Sequence, residues 1–225
     1  MKLMHVITIT AALVSGLLSL NATAHALWLE GNSSGAAGAT TKLYFGEYAE
    51  NLREPSPGRL DSIIEPAVAV VDAAGNGKPA EARRENNHFT ITGGGATVLV
   101  QALKQPVREQ TIREPQGEIL NPAQRRFLYA RLGNGGTLPL DIHNDGNLLR
   151  LSFMGKPVAK GKIIVIAPNG WEKHLSTDEK GETAFSLPEP GLYVIEATHE
   201  LSKSGEFGGK PYTVEVHRTT LSLYK

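Results

Sequence analysis

Beyond residue 26 the chain is cut into short apolar runs by glycine, proline and asparagine, and that spacing decides its fold class. Residues 67–71 read Ala-Val-Ala-Val-Val and stop at Asp72-Ala73-Ala74-Gly75-Asn76-Gly77, a turn cluster. Runs at 42–45, 88–91 and 97–103 follow the same pattern, and Gly93-Gly94-Gly95 between the last two reads as a hairpin connection. A further series at 138–142, 148–153, 162–167, 183–187, 191–198 and 211–216 is broken by turns such as Asn144-Asp145-Gly146-Asn147. Many short strands between turn signals predict an all-β chain. Gly133-Asn134-Gly135-Gly136 is the best internal boundary, so the expectation is two β-sandwich domains. One covers 27–136, with a polar, proline-bearing loop at 104–125. The other covers 137–225, the size of one immunoglobulin-like sandwich. Residues 124–132 are ambiguous between strand and helical turn.

Residues 1–26 read as a secretory signal peptide. Lys2 supplies the cationic start, and the apolar stretch 6–20 is too short and too polar for a comfortable membrane span. Two small-x-small cleavage sites follow: Ala22-Thr23-Ala24 would leave His25 first, and Ala24-His25-Ala26 would leave Leu27 first. The expectation is a soluble periplasmic product with no stable membrane insertion. The full chain balances 23 Lys and Arg against 23 Asp and Glu, so it has no basic excess for nucleic acid. With no cysteine, the chain has no disulfide, no lipid-attachment thiol and no thiolate metal ligand. Met154 is the one methionine outside the signal, so any metal must be held by imidazole, amine, carboxylate or backbone groups.

Gly31-Asn32-Ser33-Ser34-Gly35 matches G-x-S-x-G, but a nucleophile elbow needs a strand before it and a helix after it, and Ala36-Ala37-Gly38-Ala39-Thr40-Thr41 continues poorly as a helix. The motif reads as a small-residue loop, and no acid–base pair stands out, so the chain is read as non-catalytic. The histidines carry the remaining chemistry. His217, beside Glu215, reads as a polar-face residue, and His174 and His88 as loop-edge residues. His143, between Asp141 and Asp145, is a candidate ligand, although turn chemistry also explains the aspartates. His199 continues the face of Tyr193, Ile195 and Ala197 to a strand end, as either a core-edge residue or a ligand. His25 continues the face of Leu27 and Leu29. As a new N-terminus it would offer an α-amine and an imidazole; with a second imidazole these give three nitrogens in a near-planar set that suits Cu(II) or Ni(II).

Several motifs together resemble a known family. Ala24-His25-Ala26-Leu27-Trp28-Leu29-Glu30 is similar to the A-H-x-x-W-L-E start of bacterial periplasmic proteins of unknown function known as NikM-like, or periplasmic components of cobalt or nickel transport. Thr177-Asp178-Glu179-Lys180-Gly181 through Phe185 resembles their T-D-x-x-G-x-x-x-F run, one shared with immunoglobulin-like and transthyretin-like domains. Gly191-Leu192-Tyr193 through Ala197-Thr198-His199 resembles their G-x-Y-x-x-x-A-x-H run, and Leu43 to Tyr48 and Leu60-Asp61 resemble a subgroup. The resemblance implies that His25 and His199 are the recurring histidines, and it raises the expectation of metal handling.

Three functions are therefore weighed. The first is a periplasmic accessory protein that binds one divalent ion (Ni, Co or Cu) through His25 and His199, and exchanges it with an inner- or outer-membrane metal transporter. The second is a non-catalytic β-sandwich binding module for a receptor or other protein, with structural histidines and loop 104–125 as its surface. The third, an oxidative copper enzyme built on His25, lacks an evident substrate surface.

Overall fold

The structure, a computed structural model, describes residues 25–31, 39–93, 95–114 and 117–225, with the side chains of 110–122 outside the description. The stretch read as a signal peptide, as far as Ala24, and the Ser33 loop therefore lie outside the described residues. The first half contributes β1 (Ala26–Gly31), β2 (Thr40–Glu47), β3 (Leu52–Arg53), β4 (Ala67–Val71) and β5 (Gly77–Ala80). It continues with β6 (Ala82–Arg84), β7 (Phe89–Thr92), β8 (Thr97–Ala102), β9 (Arg108–Glu114) and β10 (Gly117–Leu132). The second half contributes β11 (Leu140–Asp145), β12 (Leu148–Phe153), β13 (Lys156–Pro157) and β14 (Lys162–Ile166). It ends with β15 (Glu172–Ser176), β16 (Glu182–Ala184), β17 (Leu192–Phe207) and β18 (Lys210–Tyr224). Among the described residues no α-helix occurs, only a 3-10 turn at Arg59–Ser62, and no helix is long and apolar enough to cross a membrane. The fold is all-β and sandwich-like.

Three sheets stack around one middle layer. The nine-stranded middle sheet runs β15-β14-β17-β18-β10-β8-β4-β5, with β9 beside β10. On one side lies the sheet β1-β2-β7-β6 with β3; on the other lies β11-β12-β13 with β16. Strict alternation divides the middle strands between two cores. Val68, Val70, Val98, Val100, Leu128 and Ala130 pack on Leu27, Leu29, Leu43, Phe45, Phe89 and Ile91 of the first outer sheet. Val71, Leu99, Tyr129, Ile163, Ile195 and Leu221 pack on Leu140, Ile142, Leu149 and Leu151 of the other. A strand covered on both faces can be apolar at every position, which is why β4 reads Ala-Val-Ala-Val-Val rather than alternating.

The 133–136 boundary falls at a turn between β10 and β11, yet the middle sheet crosses it. β18 from the second half pairs in parallel with β10 from the first, from Gln124↔Val214 to Leu132↔Ser222. Two local expectations are corrected. Residues 104–125 are not a long loop: β9 and the start of β10 form an antiparallel ladder there. Pro106 precedes that ladder, and Pro122 falls where the register shifts between Asn121 and Gln124, positions where a missing N–H breaks no ladder bond. The glycines at 93–95 do not close a hairpin, because β7 belongs to an outer sheet and β8 to the middle one. Where the chain enters the middle layer it packs so tightly that a Cβ on Gly95 would meet Val70 Cγ1 at 2.1 Å.

β1 is an edge strand whose outward backbone groups are met by side chains of β18 rather than by another strand. Arg218 Nη1 donates to the His25 carbonyl at 3.1 Å, and Thr220 Oγ1 donates to the Leu27 carbonyl at 2.6 Å. The Leu29 N–H donates to Ser222 Oγ at 3.0 Å, and the Gly31 N–H to the Tyr224 hydroxyl at 3.1 Å. Every second residue of β18 thus serves every second residue of β1, at a constant separation of 193 in sequence. The ladder satisfies an edge that would otherwise be open and fixes where His25 sits.

Candidate functional site

His25 precedes β1, with its ring tilted against Phe45 at 5.3 Å. β2 ends with Glu47, and the β3 pairing returns the chain so that Glu54 faces the same ring. Gly46 permits that return. Its φ is 151°, and a Cβ there would lie 2.1 Å from the Leu52 carbonyl oxygen. The Glu54 N–H then donates to the Phe45 carbonyl at 2.9 Å. Beyond it, Asp61 accepts hydrogen bonds from Ser56, the Gly58 N–H and Arg84, fixing the turn that carries Arg59. Those bonds hold the Asp61 carboxyl below its usual value.

Both nitrogens of His25 meet carboxylates. Nε2 is bonded to Glu54, and Nδ1 lies 3.1 Å from Glu47 Oε1. A carboxylate can only accept, so Nε2 carries a proton toward Glu54. Arg59 reaches the same corner, with Nη1 3.7 Å from Glu54 Oε1 and 3.2 Å from His25 Nε2 itself, so that nitrogen faces a donor as well as an acceptor. Nδ1 and Glu47 cannot face one another as two acceptors unless positive charge lies between them; either a second ring proton or a cation meets that need. Arg218 and Glu196 extend the polar cluster. Burial pushes the Glu196 carboxyl up to about 7; the Arg218 charge opposes that rise, and Glu172 and Glu47 add to it. Burial likewise pushes the Arg218 guanidinium down from its usual value.

The three sequence candidates do not converge. On β17, Val194 packs with Trp28 and Tyr44 of the first outer sheet, whereas Tyr193, Ile195 and Ala197 face the other core. His199 shares that second parity and its ring lies on Phe153, 4.7 Å between centroids. Arg218, which holds the His25 carbonyl, bonds Thr198 on the first parity. His25 and His199 therefore lie on opposite faces of the middle sheet and do not share one ion. A cleft of about 580 Å³ opens where β14 begins, and both His199 and Arg218 line it.

His143 belongs to a buried ion-pair cluster. Arg131 Nη1 lies 2.6 Å from Asp141 Oδ1, and both side chains are essentially inaccessible. His143 Nε2 is 3.0 Å from Asp141 Oδ2 and 2.9 Å from the same Arg131 nitrogen. Burial would raise the Asp141 carboxyl, but the His143 hydrogen bond and the Arg131 charge hold it below its usual value. Arg131 also donates to the carbonyls of Gly133 and Gly135, so the cluster pins the turn between the two halves. A guanidinium against Nε2 repels a metal ion at that nitrogen, and Asp145 is taken by Arg150.

Sequence reasoning missed Glu47, Glu54 and Arg218, whose positions follow from pairings distant along the chain. It also placed His217 on a polar face. His217 is in fact 3% exposed, because β18 is covered on both sides. Among the described residues, no group of three or more His, Asp or Glu side chains stands arranged to hold a metal ion. Comparison with known proteins adds little. No protein-family model matches the chain, and no curated protein matches it. A solved structure described as "Biofilm associated protein - BSP domain" aligns with 83% of this chain at 11% identity and a TM-score of 0.19. The alignment covers 27% of that structure's own chain.

Proposed function

We propose that this protein is an exported, periplasmic accessory protein that binds one divalent transition-metal ion (Ni, Co or Cu) at His25 and exchanges it with a membrane transporter. The observation that carries this reading is the pair formed by His25 Nδ1 and Glu47 Oε1 at 3.1 Å, with Nε2 already committed to Glu54. Two ligands at right angles on one ion, each about 2.0–2.1 Å from it, stand about 2.9 Å apart. Glu54 plays the part of the outer carboxylate that fixes the tautomer of a metal-binding histidine. The third donor is the α-amine that signal cleavage after Ala24 would create. Amine, imidazole and carboxylate together suit a tetragonal Cu(II) or Ni(II) ion. The motifs that begin at Ala24 support the same reading.

Native mass spectrometry of the exported protein with Cu(II), Ni(II) or Co(II) tests it. The expected species begins at His25 and holds one ion more than His25→Ala does, and Glu47→Gln weakens the hold on that ion. A chain that begins at Leu27, or one that begins at His25 and holds no ion, overturns the reading.

A further inference from the structure

We infer that His217, Glu215 and His199 form a second divalent-cation site, on the face of the middle sheet opposite His25. The argument starts from an unsatisfied atom. His217 is buried, its Nδ1 is hydrogen-bonded with the Tyr129 hydroxyl at 2.9 Å, and its Nε2 has no hydrogen-bond partner among the described residues. Leaving such a nitrogen buried and unpaired is costly, so its environment requires a reason.

Glu215 supplies one. Its Oε2 stands 3.6 Å from His217 Nε2. That is too long for a hydrogen bond. Two ligands on one tetrahedral ion, with bonds of about 2.0–2.2 Å, are about 3.3–3.6 Å apart. Positive charge is already drawn to this carboxylate: Lys203 Nζ lies 3.2 Å from the same Oε2, on a side chain 63% exposed and free to swing out. Tyr129 stands where a metal-binding histidine finds the partner for its other ring nitrogen.

The third ligand is His199. It is the direct cross-strand partner of His217 in the β17–β18 ladder. Residues opposite one another on a sheet have Cβ atoms about 4.5–5.5 Å apart. Phe153 touches both rings, at 4.7 Å from His199 and 4.9 Å from His217. The site requires a side-chain rotation that lifts the His199 ring from Phe153 toward His217, its cross-strand neighbour. Glu215 and His217, two residues apart on one strand, and His199 on the next strand give two imidazoles and one carboxylate with an open fourth position. That donor set takes Zn(II) and its tetrahedral analogue Co(II).

The test uses the purified full chain carrying His25→Ala, with Zn(II) or Co(II) as probe, read by native mass spectrometry and by visible absorption of the cobalt form. One ion per chain and the strong visible bands of four-coordinate cobalt are expected. Adding His199→Ala or Glu215→Gln should weaken binding by more than the about 10–100-fold that loss of an outer partner costs, and Tyr129→Phe should weaken it by about that amount. Circular dichroism shows that each variant is folded, so the result does not depend on the deeply buried His217. A folded His25→Ala chain that binds no ion, or undiminished binding in either His199→Ala or Glu215→Gln, overturns the site. If wild type and His25→Ala each bind one ion equally, the His25 proposal fails and this one stands.

Discussion

Thr219 and Thr220 are neighbours on β18, both fully buried, and the same substitution should move stability in opposite directions at the two positions. The Thr220 hydroxyl donates to the Leu27 carbonyl at 2.6 Å, within the ladder that holds β1. Thr220→Val keeps the shape and removes the donor, leaving a buried carbonyl unpaired at a cost of about 1–3 kcal/mol. The Thr219 hydroxyl has no partner among the described residues. Thr219→Val removes an unsatisfied polar group whose burial itself costs about 1–3 kcal/mol, so it should be neutral or stabilising. With a urea m-value of about 2 kcal/mol/M, a 2 kcal/mol loss at Thr220 lowers the unfolding midpoint by about 1 M. Thr219→Val should leave the midpoint unchanged or raise it. Amide exchange in β1 should also quicken in Thr220→Val alone. Equal midpoints for the two variants, at equal m-values, would falsify the claim that β18 side chains close the β1 edge.

Other consequences are equally direct. Asp141→Ala should cost about 3–5 kcal/mol in chemical unfolding, because it strands the buried Arg131 charge; a loss below about 1 kcal/mol would contradict that account. The Asp141 carboxyl is held low in the folded chain, so its contribution is present above the unfolded value of about 3.9 and disappears as pH falls through the lower folded value. Glu196 has the opposite sign: its folded value is raised to about 7, so stability is lost as pH climbs from the unfolded value toward and past 7. Glu196→Gln should therefore be more stable than wild type above pH 7 and no different below pH 4, and a constant offset across a pH series of melts would count against it. Gly46→Ala should push β3 off β2 and separate Glu54 from His25, weakening metal retention by about 10–100-fold, as read by competition with a chelator. At the His25 site, affinity should fall about tenfold for each pH unit below the amine value of about 7.7–8.0, and a flat titration would exclude the amine as a ligand.

Much of the fold was readable along the chain because alternation and turn chemistry are local. The run at 67–71 became β4, the turn after Asn144 became the β11–β12 hairpin, and Tyr193, Ile195, Ala197 and His199 share one face as their spacing requires. The edge proline logic was also written in the residues at 104–125, but polarity hid two strands there, since an edge hairpin need not be apolar. The candidate ligand His25 was legible from its place beside Leu27 and Leu29. Its partners Glu47 and Glu54 were not, because only the return of β3 onto β2 brings them to the ring. Parity along a strand says which residues travel together, not which layer they meet. That choice was made by β10 and β18, whose parallel pairing joins distant halves and gives the middle sheet a cover on each side. It sent His25 and His199 to opposite faces and buried His217, because the covering sheets come from parts of the chain that no local pattern links to those strands.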